Sequence, residues 1–96
     1  MLAFVLMVKE KRTKIQLYFD IISAIIEEND ISATRIQHKC NTSYDKLMRY
    51  LEEMEARKII IKNTTIEVTD KGKKFHNDYS KINDLITEIS KQVTEE

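Results

Sequence analysis

Apolar residues recur along this chain at two different spacings, and the change of spacing marks its elements. Tyr44, Leu47, Met48, Leu51 and Met54 follow the three-and-four alternation of one helix face. Immediately afterwards the period shortens. Ile59 to Ile61 and Thr65 to Thr69 are β-branched runs parted by Lys62, Asn63 and Thr64, a pattern that predicts a short hairpin. Thr42 or Ser43 can cap the helix, because a hydroxyl accepts the backbone N–H groups that a first turn leaves open. A helix running straight into a hairpin is the arrangement of a recognition helix and its wing.

Upstream, Lys11 to Asn29 predicts a longer helix. Ile15, Tyr18, Phe19, Ile22, Ile25 and Ile26 form its apolar face, widened by Leu17 and Ile21, so it is expected to be the spine of the core. Asn29-Asp30 ends it, and Ile31 can add a short strand to the wing. Ser32 to Cys40 predicts a short helix capped by Ser32, with Ala33, Ile36 and Cys40 inward and Arg35, Gln37, His38 and Lys39 outward. The turn Cys40-Asn41-Thr42 is as short as a helix-turn-helix requires.

Downstream, Thr69 can cap a last helix, and Asp70 suits the positive end of its dipole. From Lys71 to about Thr94 the apolar positions are Phe75, Tyr79, Ile82, Ile86, Ile89 and Val93. Their intervals of 4, 3, 4, 3 and 4 make a heptad stripe, with Leu85 on its flank. The e and g positions His76, Asp78, Asn83, Leu85, Ser90 and Gln92 carry almost no complementary charge and specify no parallel zipper. The stripe predicts a homodimer interface of Phe75, Tyr79, Ile82, Leu85, Ile86, Ile89 and Val93. The expected fold is therefore mainly α (α+β): a winged helix-turn-helix over residues 11–70 and a long C-terminal coiled-coil dimerisation helix over 71–96. An apolar extension, 1–10, precedes them.

The run Met1 to Val8 is too short to span a bilayer and lacks a signal peptide's basic start and cleavage site. It is read as a terminal strand or a backward extension of the first helix, or as residues preceding a natural start at Met7. No membrane partner is expected. Absence of proline and a single glycine agree with long helices and few loops. With one cysteine, Cys40, there is no internal disulfide and a reducing cytoplasm is suitable.

Formal net charge is zero, so attraction to nucleic acid must come from a local surface. The segment Arg35 to Arg49 supplies one, with four cations against a single anion, Asp45. The outward residues Ser43, Asp45, Lys46, Arg49 and Tyr50 are expected at the major groove, Arg35, Gln37, His38 and Lys39 at the backbone, and Lys62, Asn63 and Thr64 at the wing tip. Arg49 suits a bidentate contact to guanine. Glu52, Glu53 and Glu55 make the C-terminal half of the same helix acidic, which argues against deep insertion of that end.

Catalytic chemistry finds little footing. His38 and Cys40 have no second pair to complete a zinc set, and His76 is distant in the chain. The lone glycine excludes a phosphate-binding glycine loop, and no nucleophile has an obvious base. Neither enzyme activity nor a cofactor or metal is expected.

Asn41-Thr42-Ser43-Tyr44, Arg49-Tyr50-Leu51, Ile59-Ile60 and Val68-Thr69-Asp70-Lys71-Gly72 together resemble the archaeal 10a family of small winged-helix DNA-binding proteins. In that family Asn-x-Ser-Tyr opens the recognition helix, Arg-Tyr sits within it, and Leu-Thr-x-Lys-Gly joins wing to last helix. The resemblance covers about Lys11 to the C-terminus. It implies an antiparallel coiled-coil homodimer on double-stranded DNA, cytoplasmic and nucleoid-associated. Chromatin-associated members are basic, whereas this chain is neutral, and Met1 to Val8 has no counterpart. Transcriptional regulation is the leading expectation. A winged-helix protein–protein interaction module without direct DNA binding is the alternative, and a ligand-sensing repressor is a third.

Overall fold

The computed structural model describes residues 12–94, so the expected extension 1–10 lies outside the described residues. Four helices and one hairpin follow in the order α1 (Lys14–Glu27), α2 (Ala33–Cys40), α3 (Tyr44–Ala56), β1 (Ile60–Lys62), β2 (Ile66–Val68) and α4 (Asp70–Thr94). This is the expected winged helix with a long last helix.

Side-chain caps set the helix boundaries. Helix α1 is shorter than the Lys11–Asn29 expected, because Thr13 caps it in a reciprocal box with Gln16. The Thr13 Oγ1 accepts the Gln16 N–H at 3.1 Å, and Gln16 Oε1 accepts the Thr13 N–H at 2.8 Å. Ser32 caps α2 through the Arg35 N–H, and Ser43, not Thr42, caps α3 through the Lys46 N–H. Asn41 ends α2 in the left-handed conformation at φ 52°, which its short polar side chain tolerates.

Leu17, Tyr18, Ile21, Ile22, Ala24 and Ile25 of α1 form the centre of the core. Around them close Ile36 and Cys40 of α2, Leu47, Tyr50, Leu51 and Met54 of α3, and Ile59 and Ile60. Two residues expected in the α1 face are not there, since Ile15 is 54% and Ile26 46% exposed. The reason is where α4 crosses. It covers the Phe19 flank of α1, where the Phe19 ring stacks on His76 and meets Tyr79, with centroids 4.7 and 4.6 Å apart. Ile15 and Ile26 lie on that same flank beyond the crossing. His76 also hydrogen-bonds the Ser23 hydroxyl at 3.0 Å, so it is a helix-to-helix contact.

Ile31 was expected to add a strand to the wing. It is buried, but the only sheet among the described residues is the antiparallel pair β1–β2, with Ile60 opposite Val68 and Lys62 opposite Ile66. Asp30 turns at φ 57° and Ser32 already caps α2, so Ile31 alone remains between turn and cap, and it pairs with neither strand.

The last helix is fastened to the α3–β1 junction. Thr69 donates its N–H to the Ile59 carbonyl at 3.0 Å, its hydroxyl reaches the Lys58 and Ile59 carbonyls, and its Oγ1 accepts the Gly72 N–H at 3.1 Å. Lys71 adds a bond to the Arg57 carbonyl at 2.9 Å. Gly72 lets the backbones come this close. A Cβ there would collide with the Ile59 carbonyl oxygen and stand 2.7 Å from Val68 Cγ1. Beyond Ser80 every described side chain of α4 is exposed, and the molecule measures 51 × 26 × 22 Å.

Candidate nucleic-acid interface

Helix α3 buries Leu47, Tyr50, Leu51 and Met54, which fixes the opposite line as Asp45, Arg49, Glu52 and Ala56. All four are exposed. Ser43 stands at the head of this face, with its oxygen committed as acceptor to the cap. Lys46 lies on the flank toward α1, its Nζ 5.9 Å from the centroid of the Tyr50 ring.

Tyr50 itself corrects the expectation that it faces outward. It is 9% exposed and packs edge-on against Tyr18 of α1, with centroids 5.7 Å apart. Its position on the helix borders the buried stripe, and α1 passes on that side. Tyr44 departs the other way. Expected among the apolar positions, it is 49% exposed at the first residue of α3.

A polar contact with α1 accompanies that packing on the flank of α3. The Tyr18 hydroxyl donates to Glu53 Oε2 at 3.0 Å, and Lys14 Nζ pairs with the same carboxylate at 3.2 Å. The hydrogen bond from Tyr18, and then the one from Lys14, hold the Glu53 carboxyl below its ordinary range. Burial pushes the Tyr18 phenol up, and its bond to Glu53 adds to this. Lys14 also stands 5.7 Å from the Tyr50 ring centroid, which brings a cation of α1 beside the recognition helix. Sequence reading missed Lys14. The Thr13-x-x-Gln16 capping box, which places it in a first turn, was the available signal.

The cations of α2 are partly engaged. Arg35 pairs with Glu28 at 3.1 Å, and Lys39 with Glu27 at 3.3 Å and Glu28 at 3.7 Å. His38 is exposed and Gln37 half-buried. Arg12 fixes the helix-turn-helix elbow from outside, donating to Asp20 at 2.7 Å and to the carbonyl of Cys40. The Cys40 thiol, buried beneath, is pushed up to about 11 by burial and by the charge of Asp20.

In the wing, Lys62 is the last strand residue and not part of the tip. The tip is Asn63, Thr64 and Thr65, closed by Asn63 N–H to the Thr65 carbonyl at 3.0 Å. Lys62, Asn63 and Thr64 are exposed. The expected interface residues of α4 divide in two. Phe75 and Tyr79 are half-buried on their own domain, whereas Ile82, Leu85, Ile86, Ile89 and Val93 are 55–67% exposed. Among the described residues no group of His, Cys, Asp and Glu could hold a metal ion, and no helix is long and apolar enough to cross a membrane.

A capped three-helix core, a helix-turn-helix elbow and a hairpin leading into a last helix define the winged helix class of domain. The sequence matches the winged helix-turn-helix family over residues 11–87, and the chain belongs to that family. Its fold is 10a-like. It is similar to Sso10a-2, a DNA-binding protein from Sulfolobus solfataricus, with a TM-score of 0.64 and 21% identity over 88% of this chain and 95% of that one. It is also similar to the M. tuberculosis transcriptional regulator MosR, with a TM-score of 0.65 and 18% identity over 84% of this chain and 63% of that one. No curated protein sequence matches it.

Proposed function

We propose that the protein is a non-enzymatic homodimer that binds double-stranded DNA and regulates transcription, in the cytoplasm and on the nucleoid. The observation that carries this reading is the exposed face of α3. Arg49 stands at its centre with no hydrogen bond or ion pair among the described residues, and Lys46 flanks it. The cations of α2 and α1, by contrast, are neutralised by neighbours at Glu27, Glu28 and Glu53. An unpaired guanidinium on an exposed helix face suits a groove lined by acceptors, where it can form two parallel bonds to guanine. The hairpin leaves the C-terminal end of that helix, so Lys62, Asn63 and Thr64 accompany it to the flanking backbone. The two similar structures, a DNA-binding protein and a transcriptional regulator, support the same reading.

Dimerisation rests on α4. Its 25 residues make a rod of about 37 Å, of which the domain covers only the first part. Five aliphatic side chains stay more than half exposed, and covering the exposed part of each is worth about 1 kcal/mol. A second copy of the stripe covers them all at once.

Fluorescence anisotropy with a labelled duplex across a salt series tests DNA binding. Affinity is expected to fall steeply, by about 0.9 log units per phosphate contact for each tenfold rise in salt. Absent binding, or binding indifferent to salt, would reject it.

A further inference from the structure

The outward line of α3 is not a basic surface. Asp45 precedes Arg49 by four residues and Glu52 follows it by three, so the central cation stands between two carboxylates. At these spacings neighbouring Cβ atoms are about 5–6 Å apart, close enough to pair. They do not pair. Asp45, Arg49 and Glu52 make no hydrogen bond or ion pair among the described residues, although Lys14, Arg35, Lys39 and Lys74 all close one. Glu55 adds another exposed carboxylate toward the C-terminal end.

Resting on the DNA-binding reading above, we infer that Asp45 and Glu52 are base-reading residues that make this protein selective for sites with cytosine beside the guanine contacted by Arg49. If Arg49 enters the groove, its two neighbours on the same line enter with it. A carboxylate among phosphates and base acceptors is repelled unless it receives a donor. Cytosine N4 is the major-groove donor offered without an adjacent acceptor on the same base, and Asp and Glu accept from it. Base pairs rise about 3.4 Å each, so reading positions about 5–6 Å apart address bases one or two steps from the guanine. On other sequences both carboxylates are repelled without compensation. The same arrangement thus weakens non-specific binding, in keeping with a net charge of zero.

Selection of bound duplexes from a random pool tests this on the full chain and on Glu52→Gln and Asp45→Asn. These changes keep size, lie on the exposed face and break no bond of the fold. The unmutated protein is expected to enrich a guanine with cytosine one or two base pairs away. A carboxamide pairs with adenine N6 and N7, so each variant should exchange cytosine for adenine at one position only. Discrimination there should change roughly 5- to 150-fold, while affinity for scrambled duplex rises. Identical selected sites for all three proteins would overturn base reading by the carboxylates. So would salt-dependent binding without any sequence preference, which leaves DNA binding itself intact. Failure of every protein to bind any duplex would instead remove both readings.

Discussion

Replacing Gly72 with alanine separates two opposed effects at the only glycine in the chain. Gly72 lies in the first turn of α4 with no positive φ, so its backbone conformation admits any residue. On propensity alone, alanine in a helix gains up to about 1 kcal/mol. The surroundings reverse the sign. The new methyl meets the Ile59 carbonyl oxygen, and it stands 2.7 Å from Val68 Cγ1 and 3.1 Å from Ile59 Cγ2. Carbon atoms settle about 3.5–4.0 Å apart. Val68 can turn away, but the Ile59 carbonyl cannot, being fixed by the Thr69 N–H at 3.0 Å and the Thr69 hydroxyl at 2.9 Å. Helix α4 must therefore retreat by about 1 Å and stretch those bonds. Overpacking of this kind costs about 1–3 kcal/mol, and weakened hydrogen bonds add about 1. Against the gain in propensity the expected loss is about 2 kcal/mol. For a domain of this size that lowers Tm by about 10 °C. Thermal unfolding by circular dichroism should be run at matched protein concentration, because the proposed dimerisation would make Tm concentration-dependent. A Tm equal to or above that of the unmutated protein would refute the close-approach argument.

On DNA, Arg49→Ala should cost about 1–3 kcal/mol and relax preference at one position, whereas Lys46→Ala should weaken all duplexes alike and flatten the salt slope by about one unit; unchanged anisotropy titrations for both would remove α3 as the DNA-facing element. Ile86→Lys with Ile89→Lys should give monomers and much weaker DNA binding, and light scattering showing the unmutated chain already monomeric at tens of micromolar (roughly, a range where even a modest interface associates) would refute the dimer. Cys40 should alkylate slowly in the native protein and fast after unfolding, since burial raises the thiol from 9.0 to about 11. The folded thiol retains its proton where the unfolded one ionises, so its contribution is complete below pH 9 and is lost as pH climbs toward about 11; Cys40→Ala should blunt that alkaline loss in pH-dependent denaturation. Glu53 has the opposite sign, its carboxyl being depressed, so its contribution is present above its ordinary range and lost as pH falls through the folded value. Tyr18→Phe removes the leading cause and leaves the Lys14 contribution, so a carbon-13 titration of Glu53 should move back part of the way toward the ordinary range; a titration unchanged from that of the unmutated protein would contradict the assignment.

The sequence revealed what depends on neighbours along the chain. Ser32, Ser43 and Thr69 were legible as caps because capping is local, and the change from helical to β-branched spacing placed the wing to within about two residues. What stayed hidden depends on distant partners. No periodicity announces that α4 crosses α1 at Phe19 and Ser23, so Ile15 and Ile26 were assigned to a core that never reaches them. Tyr50 borders the inner stripe of α3, and only the position of Tyr18, far off in sequence, decides that it is inside. The cations of α2 look free in the sequence because Glu27 and Glu28, at the C-terminal end of α1, are brought to Arg35 and Lys39 only by the bend between the helices.

The Tyr18–Glu53–Lys14 contact has a consequence for how such a protein can change. It grips α3 by its inner flank, and no bond of the fold passes through the side chains of Asp45, Arg49 or Glu52. Exposed substitutions of that kind usually alter stability by no more than about 0.5 kcal/mol. If that line reads bases as proposed, a duplicate gene could exchange all three of its letters and acquire a new set of target sites, while the frame that presents them is inherited unaltered.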